Sequence, residues 1–512
     1  MTENLRYTSS GLEVVAIAPG AEEAAWQRIQ TLCGGRLGRR GVDRLRDGVD
    51  GHVKSVLVEP QYVCRDYRDL YGRFYSKKFL ERSSYCSRLH FFSDETVTVQ
   101  GAVFDPGAQR DAYMGYSVIQ PVSPGSVGRT VVDPFKIGMS QEGFWCLRTP
   151  FIAHINGAEY QVEAYPYFSQ SAEAMVCAHA ALWGVCRYLS ARYPAYGEIH
   201  PYNLIEMTNP SLGRRAPYRG MTFSDYSEIL SAFGCHPQIV MPGGQQQEDW
   251  TRDTEAFQDV YAYVESGFPV LASFRGHVVT LIGHTCRPGV ADHKPDAGTR
   301  FFNSFALVKR FIAVDDNYFP YRLLGYRSDP DNYGKAFAKV LDPVPAIESL
   351  YAAVVPLPEK AFLTPGRARK LAYLYLKQIR SKIDEAVQGA GGDAGEPLIA
   401  RLFLTSLVGF KDRKRLACFD RPGFPADVMA QFALDLNLPH FVWVMQVSPL
   451  TLHNQGWCVA EVVLDASANE YESQPVYIRV GRTLIRGGQE KVVSAGLWRF
   501  LQYTHNLGER DG

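Results

Sequence analysis

One stretch, Tyr165 to Pro194, constrains the fold of this chain more than any other. It holds a glutamine, Gln170, and then a cysteine, Cys177, at the start of a run that is mostly apolar and rich in helix formers. The pattern predicts a largely buried helix with Cys177 in its first turns. Because a helix N-terminus carries a positive partial charge, it favours a thiolate over a thiol. A polarised sulfur beside the amide of Gln170 is what nucleophilic acyl chemistry requires.

A cysteine nucleophile also needs a base, and the candidate is a histidine further along the chain. Pro269 to Phe274 predicts a strand, and Gly276-His277 then opens a second strand that runs from Val278 to Ile282. A Gly-His pair at the head of a β-branched run places an imidazole at a strand end. We favour His277 over its rival His284, because His284 follows the strand and precedes a loop.

Candidates for the third member of the site follow another apolar run. Phe311 to Val314 predicts a strand that ends in Asp315, Asp316 and Asn317. A carboxylate or amide at a strand end can hold one imidazole tautomer. Asp316 would point to the opposite side from Asp315 if the strand continued, because side chains alternate along a strand.

The order of these residues resembles that of the papain-like cysteine peptidases, and within them the bacterial C39-like group. The residues that carry the resemblance are Gln170, Cys177-Ala178, Ala180-Ala181-Leu182-Trp183, Gly276 to Gly283, and Val314-Asp315. It covers roughly Glu163 to Arg327, about a third of the chain. Two features depart from the family pattern. The glutamine lies one residue further from the cysteine than usual, and the histidine-to-aspartate interval is long, because Cys286 to Arg300 looks like an insert.

The resemblance implies an α+β fold, with helices packed on an antiparallel sheet and the active site in the cleft between them. It implies that Cys177 is the nucleophile and His277 the base. Asp315, the first acidic residue after the strand, would orient the imidazole. Gln170 and the backbone N–H of Cys177 would stabilise the oxyanion. The expected activity is that of a thiol hydrolase, a peptidase that cleaves a peptide or isopeptide bond with no cofactor and no metal.

Two other functions stay open on the sequence alone. The first is acyl transfer of the transglutaminase type, in which an amine replaces water as the acceptor. The second is a non-catalytic binding module on a papain-like scaffold, since fold does not fix function. Residue by residue, the alternatives are a buried core cysteine for Cys177 and an ordinary surface glutamine for Gln170. Motifs for a P-loop, a zincin or a nucleophile elbow are absent from the sequence.

Composition restricts the partners. The chain has 54 basic and 54 acidic residues, so its net charge gives no argument for nucleic acid or an anionic membrane. Its ten cysteines are scattered with no CxxC, which is typical of reduced thiols in the cytoplasm. The first 20 residues lack the plan of a signal peptide, and no apolar run is long enough to span a membrane. The expected partners are a protein or peptide substrate and a regulatory protein.

A length of 512 residues predicts about three domains. We expect a mixed N-terminal domain with much β structure (residues 1–155), the papain-like unit (156–357) and a mixed α/β C-terminal domain (358–512). The flanking domains would select the substrate or regulate the site. Four finer predictions concern these domains: a basic loop at Gly34 to Asp47, a strand at Val97 to Phe104, one long helix at Pro365 to Val387, and a helix at Val428 to Asp435.

Overall fold

The computed structural model of the chain is a mixed α/β protein with several antiparallel sheets. It describes residues 11–34, 37–49, 51–122, 127–139, 144–171, 173–207, 221–241, 255–274, 276–290, 293–326, 347–393, 395–415, 438–469, 475–492 and 498–499. Hydrophobic side chains from all three sheets below are buried in one continuous core. None of the helices in these ranges has the length and apolar character needed to cross a bilayer.

The first sheet has five antiparallel strands in sequence order. Its strands are β1 (Glu13–Ala16), β2 (Ser55–Tyr62), β3 (Cys86–Phe92), β4 (Tyr113–Ile119) and β5 (Val127–Val132). The helices of this part are α1 (Glu22–Leu32), α2 (Arg39–Val49), α3 (Arg65–Arg73) and α4 (Val99–Phe104). Strands β3 and β4 are buried along their whole length, as expected for strands covered on both faces.

The second sheet carries the predicted site. Its order is β14-β13-β11-β10-β15-β9, with β6 paired to β11, while β7 and β8 form a separate hairpin. The strands of this middle part of the chain are β6 (Trp145–Cys146), β7 (Thr149–Ile155), β8 (Ala158–Ala164), β9 (His236–Val240), β10 (Val270–Phe274), β11 (His277–Cys286), β13 (Val308–Val314), β14 (Arg322–Leu324) and β15 (Ala352–Leu357), together with β12 (Phe301–Asn303), which joins the third sheet. The helices are α5 (Cys177–Arg192), α6 (Pro201–Met207), α7 (Phe223–Phe233) and α8 (Glu255–Glu265).

The third sheet has the order β12-β16-β17-β19-β20-β21-β22, so β12 leaves the middle of the chain to join the C-terminal part. Pairing of β12 with β16 is parallel, and the other pairs are antiparallel. Besides β12, its strands are β16 (Leu398–Ser406), β17 (Phe441–Pro449), β19 (Ala460–Asp465), β20 (Pro475–Val480), β21 (Thr483–Arg486) and β22 (Gln489–Val492). A separate two-stranded sheet pairs β18 (Trp457–Cys458) with β23 (Trp498–Arg499). The helices are α9 (Pro365–Gln378), α10 (Arg380–Gly389), α11 (Leu407–Lys414) and α12 (Leu450–Asn454).

Three of the finer predictions are wrong. The expected basic loop forms α2, whose buried Gly41, Leu45 and Val49 recur every four residues on one helix face. The expected strand at Val97 to Phe104 is α4, because the Thr98 side chain caps the helix by accepting from the backbone N–H of Gly101. The expected long helix is divided into α9 and α10, because the backbone angles of Ile379, between them, lie outside the helical range. The helix predicted at Val428 to Asp435 lies outside the described residues.

The predicted domain boundaries stay predictions. The boundary at 155/156 lies in the turn between β7 and β8, and the boundary at 357/358 directly follows β15. Segments from both flanks nevertheless contact the middle part. Helix α2 packs on the loop that follows β13, and β12 completes the edge of the third sheet.

The packing of α2 on that loop depends on a glycine. A Cβ added to Gly48 would lie 2.0 Å from the ring of Phe319, so only the absence of a side chain allows this approach. Gly72, in α3, has open space around the same position and is the matched control.

We predict that Gly48→Ala lowers the free energy of unfolding by about 1–3 kcal/mol through overpacking. Gly72→Ala should leave it unchanged or raise it by up to ~1 kcal/mol, since alanine is the better helix former. Urea denaturation of both variants measures the difference. Equal effects of the two substitutions would show that the contact between Gly48 and Phe319 is absent in solution.

Candidate functional site

The pairing of β11 with β13 brings His277 next to Asp315. Thr280 lies opposite Val314 in the antiparallel register, so one further step places Asp315 opposite Val279, on the same face as His277. Nε2 of His277 donates to Oδ1 of Asp315 at 2.9 Å. The Asp315 side chain is fully buried, whereas 18% of the His277 side chain is exposed. One side of the imidazole is therefore fixed by a carboxylate, and the other is free to face a cleft.

Cys177 is the first residue of α5 and is half-buried. The first N–H groups of a helix have no partner within it, so the backbone N–H of Cys177 lies at the positive helix end. His179 is buried three residues after the N-cap, and its Nδ1 accepts from the backbone N–H of Val176 at 3.4 Å. His179 thus helps to cap α5, and burial lowers its pKa to about 4, so it is a neutral structural histidine.

The imidazole of His277 lies between Cys177 and Asp315. Burial acts to lower its pKa, but hydrogen bonds with Asp315 and Cys177 and the charges of Asp315 and Asp316 raise the pKa of His277 to about 11. Because Nε2 is used by Asp315, Nδ1 is the nitrogen left for the sulfur. At neutral pH the ring therefore carries both protons, one of them on the nitrogen that faces the sulfur.

Gln170 lies in the same cleft and is held by Asn317, which the sequence offered only as a candidate partner of the imidazole. Its Nε2 donates to Oδ1 of Asn317 at 3.1 Å, and the backbone N–H of Asn317 in turn donates to Oδ1 of Asp315 at 3.0 Å. A primary amide has two N–H donors, so one remains after the bond to Asn317. Gln170 and Cys177 both line the cleft, which makes this donor available for an oxyanion there.

The Asp316 side chain is buried, with a carboxylate oxygen within 4.8 Å of a ring nitrogen of His277. Its side chain lines a small internal cavity with Thr280 and Val314. Its carboxylate oxygens have no hydrogen bond of ordinary geometry, although the backbone N–H of Gln170 lies close enough to favour the charged form. Burial and the neighbouring Asp315 raise the pKa of Asp316 to about 7, against the opposing charge of His277. Asp316 is therefore partly protonated at neutral pH.

His277, Asp315 and Asp316 also have the donor types of a metal site. Each offers a ligand atom within 4.8 Å of the other two. An ion bound by all three would compete with the hydrogen bond between His277 and Asp315, so the metal geometry and the triad geometry exclude each other.

The N-terminal part of the chain holds the loops that carry the site. The guanidinium of Arg44, in α2, donates to the backbone carbonyl of Asp316 at 3.0 Å and to the hydroxyl of Tyr167 at 3.2 Å. The Tyr167 hydroxyl donates to the same carbonyl at 3.0 Å. The backbone of Tyr167 pairs with that of Thr130, in β5. Both the Gln170 loop and the Asp315 loop are thereby attached to the N-terminal part.

The cleft beside Cys177 and His277 has a volume of about 580 Å³. Its far wall is aromatic and comes from the start of α7, the end of β10 and the residue before β15. The rings of Phe223 and Tyr351 are stacked, with centroids 5.8 Å apart. Phe274 and Tyr226 complete this wall. An apolar wall of this kind suits an apolar or aromatic side chain.

The structure brings together all four residues that the sequence analysis assigned: Gln170, Cys177, His277 and Asp315. Sequence reasoning missed Arg44, which holds the Asp315 loop. It named Asn317 as a candidate partner of the imidazole but missed its contact with Gln170, for which no local signal existed. The helical spacing of the buried residues in α2 was the signal available for Arg44. The rival His284 lies at the other end of β11.

Comparison with protein-family models, with curated proteins and with solved structures finds no match for this chain, so a functional assignment depends on the geometry of the site.

The raised pKa of Asp316 has a consequence for stability. In the unfolded chain this carboxyl ionises near pH 4, but in the folded chain it holds its proton to about pH 7. Between these values the folded state binds more protons, so the free energy of unfolding falls as pH rises. Asp316→Asn removes that slope because asparagine does not titrate.

We predict that Asp316→Asn is more stable relative to the wild type at pH 8 than at pH 4, by on the order of 2–4 kcal/mol. Urea unfolding of both proteins at the two pH values gives the difference. A stability difference that is the same at both pH values would mean that Asp316 ionises normally in the folded protein.

Proposed function

We propose that this chain is a cysteine peptidase, a thiol hydrolase that cleaves peptide or isopeptide bonds in a protein or peptide substrate. The observation that carries the proposal is the position of the His277 imidazole, between the Cys177 sulfur and the buried carboxylate of Asp315. A nucleophile, a base and an orienting group within reach of one another are the geometric requirement for acyl transfer through a covalent intermediate.

In the proposed reaction His277 first donates a proton and later accepts one. The Cys177 sulfur attacks the substrate carbonyl, and the oxyanion is stabilised by the backbone N–H of Cys177 and the free N–H of Gln170. The imidazolium of His277 gives its proton to the leaving amine. A water molecule then attacks the thioester as His277 takes its proton, which releases the acid and returns the sulfur and the imidazolium to their starting states. Asp315 holds the imidazole tautomer and does not touch the substrate.

The finer identity of the fold belongs to the same proposal. A helix that begins at the nucleophile, packed against an antiparallel sheet whose strands supply the base and its partner, supports a papain-like unit of the C39-like group. The nine described cysteines are free thiols, which supports a reducing compartment such as the cytoplasm. The flanking parts would select the substrate or regulate access, and the aromatic wall of the cleft favours an apolar residue beside the scissile bond.

Two adjacent aspartates allow a sharp test of the proposal. Asp315→Asn should lower kcat roughly a hundredfold or more while leaving KM nearly unchanged, since Asp315 acts through His277 and not on substrate. Asp316→Asn, the matched control one residue away, should keep kcat within about threefold of the wild type, since its side chain makes no hydrogen bond to the imidazole. Cys177→Ala should abolish turnover. The assay is hydrolysis of a mixed fluorogenic peptide library by the full chain.

A substrate-independent measurement accompanies that assay. Iodoacetamide at limiting dose should alkylate Cys177, and His277→Ala should slow this alkylation, because the imidazolium favours the reactive thiolate. The proposal fails if His277→Ala leaves the rate unchanged. It also fails if Asp316→Asn abolishes turnover while Asp315→Asn spares it. A labelled amine added to the same assay separates hydrolysis from transfer, since transfer yields amine conjugates.

A further inference from the structure

A second cysteine, histidine and carboxylate lie together at the opposite end of β11. The Cys286 sulfur is 3.4 Å from Nδ1 of His284, and Nε2 of His284 is 2.6 Å from Oε2 of Glu265. The order of contacts, sulfur to Nδ1 and Nε2 to carboxylate, is the one inferred for Cys177, His277 and Asp315. In the sequence, His284 is only the rival of His277 as a base, and Cys286 is the first residue of the predicted insert.

The imidazole of His284 is fixed on every side. Its side chain is 2% exposed and that of Glu265 is 6% exposed. The rings of Trp145 and Tyr261 lie with their centroids 5.4 and 5.5 Å from that of His284. Glu265 is itself held, because its Oε1 accepts from Nε of Arg401, in β16. The geometry thus allows one ring orientation, with Nδ1 directed at the sulfur.

The sulfur of Cys286 lies beside a charged imidazole ring. Burial acts to lower the pKa of His284, but Cys286 and Glu265 raise it to about 10, so the ring is an imidazolium at neutral pH. Glu265 is shared, because one of its oxygens contacts His284 and the other contacts Arg401. Another nearby group, His453, adds no charge because desolvation and Arg401 lower its pKa to about 4.

Solvent reaches Cys286. Among the nine described cysteines, Cys177 and Cys286 are half-buried and the others are buried. Cys286 is the last residue of β11 and is paired with Val308, in β13.

We propose that Cys286 is a second reactive thiol and an oxidative modification site for hydrogen peroxide and similarly small electrophiles, with His284 and Glu265 as its positioning residues. The sulfur attacks one peroxide oxygen, so an S–O bond forms as the O–O bond breaks. Hydroxide leaves and takes the Nδ1 proton of His284 to become water. The sulfur is oxidised by two electrons to the sulfenic acid, and peroxide is reduced to water.

The test uses the full chain carrying Cys177→Ala, so that its outcome is independent of the proposed peptidase activity. The rate of iodoacetamide alkylation at Cys286 is measured by peptide mapping between pH 6 and pH 8, with glutathione as the reference thiol. The alkylation of an ordinary thiol with a pKa near 8.5 is about a hundredfold slower at pH 6 than at pH 8. The rate at Cys286 should change less than about threefold, because the imidazolium keeps the thiolate present.

A second arm measures the oxidation directly. Hydrogen peroxide with dimedone should give the dimedone adduct at Cys286, and Cys286→Ser should remove it. Glu265→Gln, where it folds, should restore a steep pH profile, whereas a purely structural role for the ion pair would leave the profile unchanged. An alkylation rate at Cys286 that follows glutathione overturns the proposal, as does an absence of the adduct at Cys286 when Cys177→Ala is treated with peroxide. The alkylation rate and the dimedone adduct both test the proposal without the Glu265 variant.

Discussion

The hydrogen bond between His277 and Asp315 is the interaction on which the candidate site depends. It exists because β11 starts where β13 ends, in an antiparallel register that gives the two side chains one face. A fully buried carboxylate is costly to keep charged without a partner. The imidazolium supplies that partner and is itself drawn to the sulfur at the start of α5. The register also decides that Asp315, and not Asp316, is hydrogen-bonded to the ring.

Contacts from the N-terminal part and from the C-terminal sheet stabilise this register. Arg44 and Tyr167 bind the backbone carbonyl of Asp316, and Phe319 packs against α2 at a position that only Gly48 permits. The N-terminal sheet is thus part of the support of the site, although its sequence carries no chemical motif. On the other side, the contact between Glu265 and Arg401 joins α8 to the C-terminal sheet and fixes the far end of β11 through His284. One strand therefore carries a cysteine–histidine–carboxylate group at each end.

Local patterns in the sequence were sufficient for the elements that carry the chemistry. The apolar helical run after Cys177 and the β-branched run after His277 predicted α5 and β11, because burial of one face dictates those residues. Elsewhere, contacts between residues distant in sequence could not be predicted from local patterns. Strand β16 went unpredicted because its buried Arg401 is balanced by Glu265, which is distant in sequence. The capped helix α4 went unpredicted because β-branched residues mimic a strand pattern there. The role of Asn317 could not be predicted, since Gln170 meets it only in three dimensions.

The protonation state of His277 tests the account most directly. Histidine labelled with ¹⁵N reports the protonation of both ring nitrogens, and the His277→Gln spectrum identifies the signal. The account predicts that Nδ1 and Nε2 of His277 both carry a proton at pH 8, since the pKa of this imidazole is raised to about 11 by its partners. A neutral His277 ring at pH 8, with a titration near the ordinary value of about 6.5, would contradict the account.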